Sequence, residues 1–324
     1  MSEDRAAAEF AVRIETLRRA ARSAIDPAAS LEMFRRVGDD LIDRWDGRTL
    51  LRTHTIGART IAYACSFISG DRGLTINVTI EDARQRQAIE DAVRTMFVMP
   101  GAEFTALAQS DGVIGAIAAA HPGVRSVRQS NLLHALIRCI SAQQVNLRWA
   151  ATCRRRLAES FGREHRVGEH RVYSLDADRI AALETADIRA LQFTTRKAEY
   201  IINVARALAG GELTIAALAA MSDDDAIARL TAIRGVGLWT AEWILARTLG
   251  RPRVVAGDLG VRKAIGLAYS GGVMPAADEV RRLTAHWGAA AATAQAMLLH
   301  ALAEKTLPLG RTAADARQPR PHPQ

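Results

Sequence analysis

Residues 230–241 read Leu230-Thr231-Ala232-Ile233-Arg234-Gly235-Val236-Gly237-Leu238-Trp239-Thr240-Ala241, and no other stretch restricts the fold so tightly. Ser222, with Asp225 three residues on, reads as a capping box that opens a short helix. That helix is expected to end at Arg234, and a second to start directly after Gly237. Two glycines around one apolar residue allow positive φ and close backbone approach. Ile233 and Val236 would clamp the two helices together. Such a turn exposes its own N–H groups beside the positive end of the second helix, a natural seat for a phosphate. Plain interhelical packing is the competing use of the same turn.

Charge says where a polyanionic partner would sit. The 324 residues carry 43 Lys+Arg against 35 Asp+Glu, a formal charge of +8. Residues 1–107 hold 15 arginines, no lysine and 16 acids, a net of −1. Residues 108–324 hold 28 basic and 19 acidic residues, a net of +9. A localised excess points to nucleic acid first and an anionic membrane second, with a plain solubility charge as the alternative. Only Lys197, Lys263 and Lys305 are lysines, so lysine-dependent chemistry has few places to occur. With 49% apolar and 24% charged residues the chain is not disordered, and at roughly 150 residues per domain it holds two or three domains.

Cys65, Cys139 and Cys153 form neither a disulfide framework nor a C-x-x-C ligand pair, which favours a reduced cytosolic interior. The run from His165 to His170 reads as a polar surface loop rather than a metal site. No apolar run reaches the roughly 18 residues that span a bilayer, and Glu3, Asp4 and Arg5 have no signal-peptide core behind them. Membrane integration is not expected.

Along the chain, residues 3–24 read as an amphipathic helix with Phe10, Ile14 and Leu17 as its stripe. Pro27 separates it from a second helical stretch at about 30–44, so residues 1–44 form a helical extension. Residues 48–80 are short, β-branched and alternating, broken by Asp46-Gly47, Gly57 and Asp71-Arg72-Gly73, which predicts a small antiparallel meander. With a helix over about 82–97, residues 45–107 make a small α+β domain. From residue 103 onward the patterns are almost wholly helical, giving a helical domain over 108–310 with its hairpin at about 223–249. Residues 311–324 read as a disordered tail.

Beyond the hairpin comes Val254-Val255-Ala256-Gly257-Asp258-Leu259-Gly260-Val261-Arg262-Lys263. In isolation, Asp258 after a short apolar run reads as a helix N-cap. Together with the hairpin it resembles the helix–hairpin–helix DNA glycosylase superfamily, whose hallmark is this hairpin, a Gly/Pro-rich loop and an aspartate. Within it the sequence is most similar to the 3-methyladenine DNA glycosylase II branch. Ile140-Ser141-Ala142-Gln143-Gln144-Val145 and the segment Leu191–Ile201 carry further similarity, as does the β-meander before the helices. The resemblance spans roughly residues 45–305. It implies a mostly α fold: a two-subdomain all-helical glycosylase core preceded by a small α+β domain with an antiparallel sheet.

The resemblance makes Asp258 the catalytic carboxylate, stabilising positive charge on the sugar as an N-glycosidic bond breaks. Trp239 stands where lyase-competent branches place a Schiff-base lysine, so water is the expected nucleophile and an abasic site the product. Trp239 and Trp243, four apart on one helix, could wall a pocket for a flipped, cationic alkylated purine. Trp243 reads equally well as core. Gln143 or Gln144 would fill the vacated stack. Arg234, Gly235, Val236 and Gly237 would hold the DNA backbone, with Arg196, Lys197 and Lys263 as further contacts. The Arg154-Arg155-Arg156 run is either another contact or a solvated face. No cofactor and no protein-bound metal are implied, beyond at most a monovalent cation at the hairpin–phosphate contact. The partner would be damaged double-stranded DNA and not a membrane, with the protein a cytoplasmic, nucleoid-associated monomer. One departure stands out: His286-Trp287 is followed by Gly288 and a run of alanines, and later aromatic positions fall near Leu299 and His300. The alternatives are a non-catalytic helix–hairpin–helix DNA-binding protein and a glycosylase for oxidised or deaminated bases.

Overall fold

A computed structural model describes residues 7–15, 25–56, 59–70 and 73–307. A five-stranded antiparallel sheet comes first, built from β1 (Ala8–Glu15), β2 (Arg44–Trp45), β3 (Thr49–Ile56), β4 (Arg59–Gly70) and β5 (Gly73–Ile80) in the order β1-β5-β4-β3-β2. The meander is therefore as read, but β1 replaces the expected helix over this part of residues 3–24. Ala8, Phe10, Val12 and Ile14 alternate with exposed Glu9, Ala11 and Arg13, which is strand periodicity. In the β1–β5 register Phe10 lies opposite Val78, Val12 opposite Ile76 and Ile14 opposite Leu74, so the apolar faces match. Leu17, the third residue of the supposed stripe, lies outside the described residues, as does the tail 311–324.

Helix α1 (Pro27–Arg36) begins earlier than expected because Asp26 caps it and Pro27 serves as its first residue rather than as a separator. It ends before Gly38, whose φ is +103°. Residues 39–43 turn instead of continuing the helix: Asp39 and Asp40 accept from the amides of Leu41 and Ile42. Helices α1 and α2 (Arg86–Arg94) cover the inner face of the sheet, burying Leu31, Phe34, Ile89 and Val93 against Val12, Leu74 and Ile76.

The helical part has two cores. The first joins α5 (Leu132–Ala142), α6 (Leu147–Phe161), α7 (Ala177–Ala181), α8 (Thr185–Ala190), α9 (Thr195–Ala209), α10 (Ile215–Ala220), α11 (Asp223–Thr231) and α12 (Leu238–Arg247). The second joins α3 (Ala102–Ser110), α4 (Gly112–Ala120), α13 (Leu259–Tyr269), α14 (Ala277–Thr284) and α15 (Ala291–Ala303). Alanines 290, 291, 292, 294 and 296 are all buried, so the alanine run packs α15 closely within its core. Strands β6 (Phe97–Val98) and β7 (Ser126–Val127) pair where the sheet unit passes into the helices.

Besides β7, a β-hairpin falls inside the region read as helical. Strands β8 (Arg163–Val167) and β9 (His170–Ser174) form a hairpin whose Val167 and Val172 pack on Leu51, Ala62 and Ala64 of β3 and β4. The His165–His170 run is thus mostly strand, not a surface loop. His165 is buried and its Nε2 lies 2.8 Å from the Ser174 hydroxyl. Alternation was masked here by the charged outward residues Glu164, Arg166 and Arg171. Among the described residues no helix is long and apolar enough to cross a membrane, and no cluster of His, Cys, Asp or Glu has metal-ligand geometry.

Candidate active site

The hairpin joins α11 to α12 inside the first helical core. Ser222 caps α11 by accepting from the Asp225 amide at 3.1 Å, and its hydroxyl donates to the Asp225 carboxylate at 2.6 Å. Helix α11 ends at Thr231, three residues before the expected Arg234. Val236 is buried and Ile233 packs against the same core, so the two do clamp the turn. The two glycines differ. Gly235 has φ +104°, and a Cβ there would lie 2.2 Å from Tyr200 Cγ, so the fold itself demands glycine. Gly237 is extended (φ −94°, ψ 177°) and a Cβ there would meet nothing within 4 Å. It is also the N-cap of α12, and having no side chain it leaves the first-turn N–H groups uncapped. Helices α9, α11 and α13, by contrast, are capped by Thr194, Ser222 and Asp258. Arg234 is exposed beside this turn, 3.3 Å from Glu199.

Asp258 begins α13, so it belongs to the second core while the hairpin belongs to the first. Its Oδ1 accepts from the Val261 amide at 3.0 Å, which is the capping bond, and its Oδ2 accepts from the Trp239 indole N–H at 3.2 Å. The N-cap reading and a chemical role are compatible, because the cap uses one oxygen and orients the other. Trp239, half-buried on the first turn of α12, therefore reaches across between the two cores. Trp243, one turn further on, packs against the first core. The chain leading to Asp258 is held from below by α15. Buried Gln295 accepts from the Val255 amide at 2.7 Å, and the Val255 carbonyl accepts from the Asp258 amide at 3.0 Å. Leu299 crowds Gly260 beside the same carboxylate.

Helix α5 ends at Ala142, so Gln143 and Gln144 lie in the loop that follows it. Gln143 donates from Nε2 to the Gly235 carbonyl at 3.3 Å, linking this loop to the hairpin. Gln144 is exposed and has φ +53°, a left-handed backbone that only the surroundings can hold. Lys197 does not stand free: its ammonium donates to the Ser141 carbonyl at 2.8 Å, and burial lowers its pKa. Arg196 and Lys263 are exposed on α9 and α13. In the arginine run, Arg154 is buried on Asp40 at 2.8 Å, Arg155 pairs with Glu159 at 3.1 Å, and Arg156 lies over the Trp149 ring at 5.3 Å. Only Arg155 behaves as a solvated residue.

The geometry thus unites Asp258 with Trp239, and Gln143 with the hairpin. Sequence reasoning missed Tyr200 and Gln295, and named Leu299 only as a position where the resemblance leads one to expect an aromatic. Gln295 did leave a signal, a lone amide in the run Ala291-Ala292-Thr293-Ala294-Gln295-Ala296-Met297. Exposed Leu147, Leu238 and Leu259 stand at the starts of α6, α12 and α13, the same chain segments that carry the glutamines, the hairpin and Asp258.

The chain is 35% identical over 176 residues to a Bacillus subtilis (strain 168) protein provisionally named DNA-3-methyladenine glycosylase YfjP. It is 31% identical over 186 residues to the DNA-3-methyladenine glycosylase of the same strain. These alignments cover 54% and 57% of this chain, and 60% and 61% of the relatives, so the chain spans about three-fifths of their length. Among solved structures, a 3-methyladenine DNA glycosylase from Archaeoglobus fulgidus superposes with a TM-score of 0.75 at 22% identity, over 89% of this chain and 96% of that one. That likeness is one of fold. Residues 137–308, more than half of the chain, carry Gln143, Gln144, the hairpin, Asp258 and α15. They match the HhH-GPD family, and the protein belongs to this superfamily of base excision DNA repair proteins.

Proposed function

We propose that the protein is a monofunctional DNA glycosylase that flips an alkylated, 3-methyladenine-like purine out of duplex DNA and hydrolyses its N-glycosidic bond. The observation that carries this reading is the Asp258–Trp239 contact at 3.2 Å, two residues along α12 from an uncapped helix start. The DNA backbone docks its phosphate on the N–H groups around Gly237. Gln144 fills the gap left in the base stack, and Gln143 fixes its loop to the hairpin. The extruded base stacks on Trp239 and Trp243, where a cationic purine gains about 0.5–2 kcal/mol from an aromatic face.

As the C1′–N bond breaks, the base departs with the electron pair and positive charge develops on the sugar. The Asp258 carboxylate, oriented by Trp239 Nε1–H and the Val261 amide, stabilises that charge. Water then forms the new C1′–O bond and gives up its proton to the carboxylate. Helix α12 carries no lysine, and Lys197 is engaged with Ser141, which supports water over an amine as nucleophile. The names of the two Bacillus relatives support the substrate class. The Arg234 and Gly235 carbonyls, which accept from Asn203 and Gln143, each keep a lone pair and would be the ones to hold a monovalent cation at the hairpin–phosphate contact. No step uses it.

The test is release of free base from methylated duplex DNA, with strand cleavage assayed separately. Wild type is expected to release alkylpurine and leave an uncut abasic strand, and Asp258→Asn to lower that rate by about 10²–10⁴-fold. Borohydride trapping of a protein–DNA imine would overturn the monofunctional reading. Absence of base release from any damaged duplex would leave the non-catalytic DNA-binding reading in its place.

A further inference from the structure

We propose that the N-terminal α+β unit positions the glutamine loop, with Asp40, through Arg154, fixing Ser141 and hence the presentation of Gln144. The inference rests on the glycosylase reading above and assigns work to the part of the chain outside the basic excess, residues 1–107, whose net charge is −1.

The link can be followed bond by bond. Asp40 lies in the turn after α1, where its Oδ1 accepts from the amides of Ile42 and Asp43 at 3.1 and 3.2 Å, which fixes the carboxylate. Its Oδ2 accepts from Arg154 Nε on α6 at 2.8 Å and from Arg138 Nη2 on α5 at 2.9 Å. Asp43 takes Arg138 at 3.2 Å and Arg52 of β3 at 2.6 Å. Arg154 then donates from Nη1 to the Ser141 hydroxyl at 2.8 Å, and the Ser141 carbonyl receives Lys197. Ser141 is two residues before Gln143. The end of α5 is therefore held from three directions: by the α+β unit through Arg154, by α9 through Lys197, and by the hairpin through Gln143.

A purely stabilising purpose does not account for this cluster. Three guanidiniums face two carboxylates in a site where Asp40, Asp43, Arg52 and Arg154 are all buried. The surplus positive charge meets the Phe34 ring of α1, which lies 5.5 Å from Arg138 and 5.6 Å from Arg52. Buried ionic groups of this kind often stabilise no more than an apolar replacement would, and their best-attested use is to fix register. A residue that parts base pairs needs a backbone that does not yield, and Gln144, with its left-handed φ, needs outside support to keep its conformation.

The experiment compares Ser141→Ala and Asp40→Asn with wild type on two duplexes, one with the alkylated purine fully paired and one with it opposite an abasic site, where there is little pairing to disrupt. Both variants are expected to lose at least about tenfold in excision from the paired duplex and to keep the wild-type rate on the unpaired one. An equal loss on both substrates, or no loss on either, would overturn the proposal. Should Asp40→Asn fail to fold, Ser141→Ala, which leaves the ionic cluster intact, decides alone. Fluorescence of 2-aminopurine placed beside the lesion reports unstacking without any excision. Should wild type release no base at all, the glycosylase reading falls while weaker unstacking by Ser141→Ala still supports the positioning role, and unchanged unstacking sinks it.

Discussion

At the scale of single residues, the two hairpin glycines separate folding from binding. Gly235→Ala would place an L-residue at φ +104° with its methyl inside the Tyr200 ring. Strain of that sort costs roughly 1–3 kcal/mol, before any repacking of Tyr200, so thermal denaturation should show a marked fall in Tm. Gly237→Ala meets neither obstacle, and its stability should stay within about 0.5 kcal/mol of wild type. Under the proposed function, its methyl would nonetheless stand where the phosphate approaches the N–H groups of α12. Fluorescence anisotropy on undamaged duplex should therefore show at least about tenfold weaker binding for Gly237→Ala in an otherwise intact protein. Unchanged affinity would mean that the backbone grip lies elsewhere. Asp258 allows a similar separation: asparagine keeps the N-cap of α13, whereas alanine loses both the cap, worth about 1 kcal/mol, and the Trp239 partner.

At the scale of elements, α15 supports the loop that carries Asp258 rather than presenting aromatic rings beside it. Gln295→Met keeps the side chain's length but orphans the buried Val255 N–H, at a cost of about 1–3 kcal/mol. Because the Val255 carbonyl holds the Asp258 amide, the carboxylate should shift as well. Single-turnover excision should slow while duplex affinity is retained, and a loss confined to affinity would contradict the tether. The hairpin, its N-cap start and Asp258 were legible in the sequence because local chemistry alone dictates them: Gly-x-Gly for the turn, an acid for the cap. Strand β1 was not, since Phe10 and Ile14 satisfy a helical stripe until Val12 is counted and β5 is known to offer a partner edge. Nor could sequence show that Lys197 and Arg154, read as surface charges, turn inward to Ser141. Their partners are 56 and 13 residues away, and only the folded chain brings those residues together.

At the scale of the whole molecule, the junction between the sheet unit and the helices makes stability depend on acid. His134 of α5 is buried there, and its Nε2 accepts from the Leu175 amide at 3.0 Å, a bond that only the neutral ring can make. Burial, opposed by the Asp43 and Asp40 carboxylates, holds its pKa down at about 4 against an ordinary 6.5. The unfolded chain therefore binds a proton between pH 6.5 and 4 that the folded one refuses, and stability falls across that window by roughly 3 kcal/mol. Asp43 acts lower down. Burial raises its carboxyl, but Arg52 and then Arg138 outweigh this and bring it to about 2. Its contribution, about 2 kcal/mol, is complete above pH 4 and is lost as pH falls toward 2. Urea titrations should thus show a first decline in unfolding free energy from pH 6.5 to 4 and a second below it. His134→Gln, which can still accept from Leu175, should flatten most of the first decline. His54, His165 and His300, all held below their ordinary values by burial, supply what remains. The second decline should survive in that variant. A His134→Gln protein with the wild-type slope between pH 6.5 and 4 would show that the acid sensitivity does not reside at this junction.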